Sequence, residues 1–135
     1  MKPTISHIYL PVRDVDESID FYTKNLGFAL LREYEIGGRR SAYLQLNGIL
    51  LELTLSDKTP STDGRMELRI GLVVPDLDEA MKEVRANGIE VPREPWQAQT
   101  FWGRQAQIKD VNGYTISLRE YRAPDGPTFP DWQPE

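Results

Sequence analysis

One histidine and no cysteine limit the chemistry open to this 135-residue chain. The absence of cysteine excludes disulfides, thiolate nucleophiles and Cys-ligated zinc or iron–sulfur centres. The histidine, His7, precedes the alternating residues Ile8, Leu10 and Val12. It therefore lies on the opposite face of a strand, away from the apolar side. Glu52 interrupts the run Ile49-Leu50-Leu51-Glu52-Leu53-Thr54-Leu55, where a buried charge is costly unless paired. Tyr43 and Gln45 alternate with Leu44 and Leu46, and Gln105 and Gln107 with Ala106 and Ile108. These four polar side chains belong on a face that offers hydrogen bonds, either lining a cavity or pointing to solvent. Trp96, Phe101 and Trp102 gather ahead of one such strand, placed to stack on a flat or cationic ligand or to pack internally. A Ser-His-Asp triad would have to use His7, and the chain has no Gly-x-Ser-x-Gly elbow. Walker and Gly-x-Gly-x-x-Gly loops are also missing.

The elements that position these residues follow from a repeat. HIYLPVRDVDE at 7–17 matches RIGLVVPDLDE at 69–79, with identity at Ile8/Ile70, Leu10/Leu72, Val12/Val74, Asp14/Asp76, Asp16/Asp78 and Glu17/Glu79. NGILLEL at 47–53 matches NGYTISL at 112–118 in the same order and at nearly the same spacing. An internal duplication accounts for both. In each copy a strand leads to Asp three residues before Glu, the spacing of a helix N-terminal box. Helical spacing follows at Ile19, Tyr22 and Leu26, and at Leu77, Met81 and Val84, with Gly27 and Gly88 as stops. Three strands come next: Ala29–Ile36, Ser41–Asn47 and Ile49–Leu55 in the first copy, and Glu90–Pro92, Gly103–Asp110 and Tyr114–Tyr121 in the second. Asn47-Gly48 and Asn112-Gly113 read as hairpin turns.

The expected fold class is α+β, two tandem βαβββ modules forming a half-barrel with a central cavity. One domain would span 1–122, its modules at about 1–57 and 66–122, followed by a Pro-rich tail at 123–135 that carries Phe129 and Trp132. The formal net charge is −5, from 16 Lys+Arg against 21 Asp+Glu. With no basic stripe, nucleic acid is not an expected partner. No run reaches membrane-spanning length, and MKPTISHIYL lacks the apolar stretch of a secretory signal, so the cytoplasm is the expected location.

The segments HIYLPVRDVDESIDFYTKNLGF at 7–28, LLELT at 50–54 and DVNGYTISL at 110–118 resemble the vicinal-oxygen-chelate superfamily of glyoxalases, bleomycin resistance proteins and dioxygenases. The resemblance implies a paired βαβββ fold, a small-molecule ligand and a homodimer. It also implies four metal-ligand positions, which here hold His7, Glu52, Arg69 and Ser117. The first two suit a divalent Mn, Fe, Ni or Zn ion. A guanidinium cannot ligate, and a serine hydroxyl is a poor substitute for a carboxylate. Glu67 and Glu120 could approach, Glu67 with the better strand parity. The segment from Phe101 to Tyr114 also resembles a stretch of the metal-free, antibiotic-binding members.

The site expected from these readings is a Glu52–Arg69 ion pair beside His7 at the vacated metal position. Tyr43, Gln45, Trp102, Gln105, Gln107 and Ser117 would line the cavity. The expected function is binding a drug or metabolite without a cofactor. Two alternatives remain. One is a metal-dependent lyase, isomerase or dioxygenase using His7, Glu52 and Glu67. The other is a cofactor-free enzyme in which Arg69 binds substrate and Glu52 or His7 moves a proton.

Overall fold

Period-two alternation and capped amphipathic helices produce the same order of elements twice. The computed structural model describes residues 1–58, 68–98 and 103–121. Its contacts divide the chain into two units, Met1–Met66 with Asp110–Gly113, and Glu67–Lys109 with Tyr114–Glu135.

The first unit runs β1 (His7–Val12), α1 (Val15–Leu26), β2 (Ala29–Ile36), β3 (Arg39–Leu46) and β4 (Ile49–Leu55). Its sheet has the order β1-β4-β3-β2, with β1 parallel to β4 and the other pairs antiparallel. Asp14 caps α1 by accepting the Glu17 N–H at 2.9 Å, and Gly27 ends it at φ 74°, a left-handed turn that glycine adopts without steric cost. Leu10, Val12, Leu44, Leu51 and Leu53 from the sheet and Ile19 and Tyr22 from α1 form the buried core. Each large apolar side chain so buried stabilises the fold by roughly 1.5–3 kcal/mol. Asn47 (φ 50°) and Gly48 (φ 80°) form the β3–β4 hairpin, since a two-residue turn with both φ positive matches the strand twist.

The second unit runs β5 (Arg69–Val73), α2 (Leu77–Ala86), β6 (Trp96–Gln97), β7 (Gly103–Lys109) and β8 (Thr115–Tyr121). The order β5-β8-β7-β6 repeats that of the first sheet. Asp76 accepts the Glu79 N–H at 3.0 Å, so the two Asp-x-x-Glu motifs start helices alike. Ile70, Leu77, Met81, Val84, Ile108, Ile116 and Leu118 fill this core. The fold class is thus α+β, two four-stranded mixed sheets each carrying one helix. Among the described residues no helix is long and apolar enough to cross a membrane.

Two sequence expectations are corrected. The first strand after α2 is Trp96–Gln97, not Glu90–Pro92. Pro92 has no N–H to give a ladder, and pairing to β7 begins where Trp96 meets Gln105 and Gln97 meets Arg104. The turn at Asn112-Gly113 is a five-residue loop, because β7 ends at Lys109 and β8 starts at Thr115. Side-chain hydrogen bonds shape that loop. Asp110 accepts the Asn112 N–H at 2.8 Å and the Tyr22 hydroxyl at 2.7 Å. Asn112 accepts the Arg13 N–H at 3.0 Å and donates to the Ser18 hydroxyl at 3.1 Å. Ser18, Tyr22, Asp110 and Asn112 are all buried, which explains why the loop is counted with the first unit.

Losing a buried acceptor costs about 1–3 kcal/mol for each group left without it. Asp110→Ala should therefore lower unfolding stability by about 2–3 kcal/mol in a denaturant titration. A loss below about 0.5 kcal/mol would show that this network does not hold the loop.

Candidate functional site

Strand register decides which side chains share the sheet face turned away from each helix. In the first unit three rows cross that face: His7, Leu50, Gln45 and Ala29; Tyr9, Glu52, Tyr43 and Arg32; Pro11, Thr54, Ser41 and Tyr34. Glu52 occupies the middle row and is reached along both diagonals. His7 Nε2 lies 3.2 Å from Glu52 Oε2, and the Tyr34 hydroxyl donates to Oε1 at 2.6 Å. The Tyr34 ring stacks on Tyr43, centroids 5.2 Å apart, and Tyr43 meets the His7 ring edge-on at 6.4 Å. Arg32 lies over the Tyr34 ring at 5.5 Å. Ser41 and Thr54 satisfy each other at 3.0 Å.

This arrangement keeps a carboxylate in place at the middle of an open sheet face. The Glu52 side chain is only 17% exposed while His7 is 41% exposed, so the pair has a protected acid and an accessible base. His7 Nδ1 is 2.6 Å from the Ser6 hydroxyl. With Nε2–H directed at Glu52, Nδ1 accepts from Ser6 in the neutral ring and donates to it in the cation. Burial first, then the hydrogen bond to Glu52, raises the Tyr34 phenol above the ordinary tyrosine range. Tyr34 thus stays a donor through neutral and moderately alkaline pH.

Within its own unit Glu52 has Tyr34 and His7 as partners; Arg69 belongs to the other unit. Tyr34 was missed although the sequence contained its signal. The strand Ala29–Ile36 and the turn at Gly37-Gly38 pair Tyr34 with Ser41, which puts it on the face of Tyr43. Gln45 shares that face, one row from Glu52.

In the second unit, Arg69, Gln105, Gln107 and Ser117 lie on the face away from α2. Their neighbours Ile70, Ala106, Ile108, Ile116 and Leu118 are buried in the core. Ser117 is in register with Gly71 on one side and Gln107 on the other. Glu120 faces the helix instead. Its Oε2 accepts the Leu77 N–H at 2.6 Å, and Arg104 stands 3.6 Å from Oε1. A carboxylate there complements the positive end of α2, so Glu120 serves the fold. Trp96 is covered by the guanidinium of Arg93 at 4.2 Å. Trp102, Phe101, Glu67, Phe129 and Trp132 lie outside the described residues. A separate surface hollow, lined by Arg13, Arg39, Leu55, Ser56 and Asp57, shares none of the site residues.

The donor set does not complete a metal site. His7 and Glu52 supply two ligands, but the other two implied positions hold a guanidinium and a hydroxyl. Among the described residues no group of three His, Cys, Asp or Glu side chains gathers. Structural and catalytic sites use at least three protein donors in the usual designs.

Comparison with known proteins agrees with the geometry on fold and lineage. The chain is 34% identical to the lactoylglutathione lyase of Escherichia coli O157:H7 over 121 residues, 84% of this chain and 90% of that one. It is 31% identical to a lactoylglutathione lyase of Arabidopsis thaliana, covering 83% of this chain but 42% of that entire protein. The chain thus spans less than half the length of such plant relatives. Among solved structures it is similar to TnmS3, an antibiotic binding protein from Streptomyces sp. CB03234, with a TM-score of 0.69 and 27% identity over 88% of this chain and 96% of that one. The sequence profile of one family matches residues 4–118, and with two βαβββ units in order the chain belongs to the Glyoxalase/Bleomycin resistance protein/Dioxygenase superfamily.

Proposed function

We propose that this chain binds a small molecule on its open sheet faces without a resident metal, as a drug- or metabolite-sequestering member of its superfamily. The observation that carries this reading is the engagement of Glu52. Its two oxygens are taken up by the Tyr34 hydroxyl and His7, while Arg69 and Ser117 replace the ligands a metal would need. A carboxylate walled by stacked tyrosines recognises flat, hydrogen-bonding molecules. The antibiotic-binding activity of the similar Streptomyces protein supports the same reading. The protein is proposed to act in the cytoplasm as a homodimer, which the mass in solution checks.

A second reading rests on a specific distance. His7 Nε2 and Glu52 Oε2 are 3.2 Å apart, a separation that two adjacent ligands at about 2.0–2.2 Å from one ion can have. The lactoylglutathione lyase relatives favour it. Elemental analysis after incubation with Mn, Fe, Ni and Zn separates the two. No retained metal is expected. Near-stoichiometric metal that disappears in the His7→Ala/Glu52→Ala double variant would establish the second reading in its place.

Tyr34 provides two further checks. Folding favours its protonated form, so its stabilising contribution is complete below the ordinary phenol range and is lost as pH rises through the raised value. In an ultraviolet titration the Tyr34→Phe variant should lack one tyrosine that titrates above the ordinary phenol range. The same variant removes the donor that holds Glu52 in place, and should change the affinity of any ligand found by thermal shift by about tenfold, one hydrogen bond to a charged group being worth about 1.5–3 kcal/mol. Unchanged affinity would remove Tyr34 from the site.

A further inference from the structure

The open face of the second unit differs in charge from that of the first. Its rows are Arg69, Thr115 and Lys109; then Gly71, Ser117 and Gln107; then Val73, Arg119 and Gln105. Among the described residues this face has no Asp or Glu, in a protein whose net charge is −5. Glu120, the one carboxylate on β5 to β8, points the other way and is held by Leu77 and Arg104. Lys109 donates to the Thr115 hydroxyl at 3.0 Å, which fixes an ammonium in Arg69's row. Arg119 adds positive charge and has a partner of its own.

Two features in the middle row lack a folding explanation. The Ser117 hydroxyl is buried, with the residue 5% exposed, and has no hydrogen-bond partner among the described residues. Such a group is costly to bury and is usually satisfied. Beside it in register is Gly71, where an added Cβ would meet nothing within 4 Å and the backbone does not need glycine. Glycine inside a strand weakens it, and here it leaves open space in the position beside Ser117. The repeat sharpens the contrast, since Arg69, Gly71 and Ser117 stand where the first copy has His7, Tyr9 and Glu52. Each replacement removes an acceptor or bulk and leaves a donor or room.

We propose that this face is a subsite for an oxyanion, a carboxylate or a phosphate-type group on the bound molecule, seated over Gly71. The inference rests on the small-molecule reading above and names the ligand's charge class. The Ser117 hydroxyl donates to one oxygen, and the Arg69 guanidinium, whose paired N–H groups match an oxyanion, takes the others. Lys109 and the Gln107 amide stand on the flank. A cationic ligand is repelled here.

The test uses the full chain and two probes, inorganic phosphate and acetate, titrated against sodium chloride at constant ionic strength. The amide resonances of residues 69–71 and 115–117 report binding. Saturable shifts with at least one probe, absent with chloride, are expected, and the better probe distinguishes phosphate-type from carboxylate ligands. Arg69→Gln should weaken binding about tenfold. Gly71→Val should abolish it while leaving the melting temperature equal or higher, because valine fills the open space and suits a strand. No response beyond chloride, or full binding by folded Gly71→Val, overturns the subsite. A parallel thermal-shift screen of uncharged aromatic compounds separates the two claims. Hits there, lost in Glu52→Gln, alongside anion failure refute the oxyanion subsite alone. Failure of both classes together with retained metal refutes the reading on which it rests.

Discussion

Every strand in this protein divides its residues between two sides, and the helix of its unit claims one of them. That allocation governs the rest of the architecture. Leu10, Leu51, Leu53 and Leu44 in one unit, and Leu72, Ile116, Leu118 and Ile108 in the other, have the parity that faces the helix. A one-residue slip in any strand would exchange core for site. The features that prevent slippage, among them the positive-φ turn at Asn47-Gly48 and the Asx-shaped loop at Asp110, therefore fix the composition of the functional faces as well as the fold.

The two copies have used this freedom differently. The first gathers His7 and the Tyr34 phenol around the Glu52 carboxylate, with the Tyr43 ring stacked on Tyr34. The second concentrates guanidinium, ammonium, hydroxyl and amide donors with no acid among its described residues. Duplication supplies two equivalent surfaces at no extra cost in folding information. Divergence at positions 7, 9 and 52 against 69, 71 and 117 then separates their chemistry. The superfamily scaffold tolerates this because none of these positions faces a helix.

Much of this was legible in the chain. The repeat, the Asp-x-x-Glu helix starts and the Asn47-Gly48 turn depend on interactions within a few residues, so sequence spacing reveals them. Strands Ala29–Ile36 and Ile49–Leu55 were legible to the residue for the same reason. The strand expected at Glu90–Pro92 failed because a two-residue strand has too little pattern to read, and only pairing with β7 defines it. Glu52 was recognisable as a charge that needed partners. Tyr34's place beside Glu52 depends on the β2–β3 register, a non-local quantity. The loop at 110–114 joins β7 and β8 as a hairpin, but its length was not legible because its partners, Ser18 and Tyr22, are distant in sequence.

That loop has a consequence for how the duplication can be taken apart. A single ancestral βαβββ unit would have been complete in itself, yet the present first unit includes Asp110–Gly113. Cutting the gene between the copies would remove from the N-terminal fragment the acceptor of the Tyr22 hydroxyl and the partners of Ser18 and the Arg13 N–H. The first half thus draws part of its packing from the second. Recombination that shuffles the first copy into a new protein must carry the Asp-x-Asn-Gly segment or supply its equivalent, which ties the evolutionary fate of the first half to four residues encoded in the second.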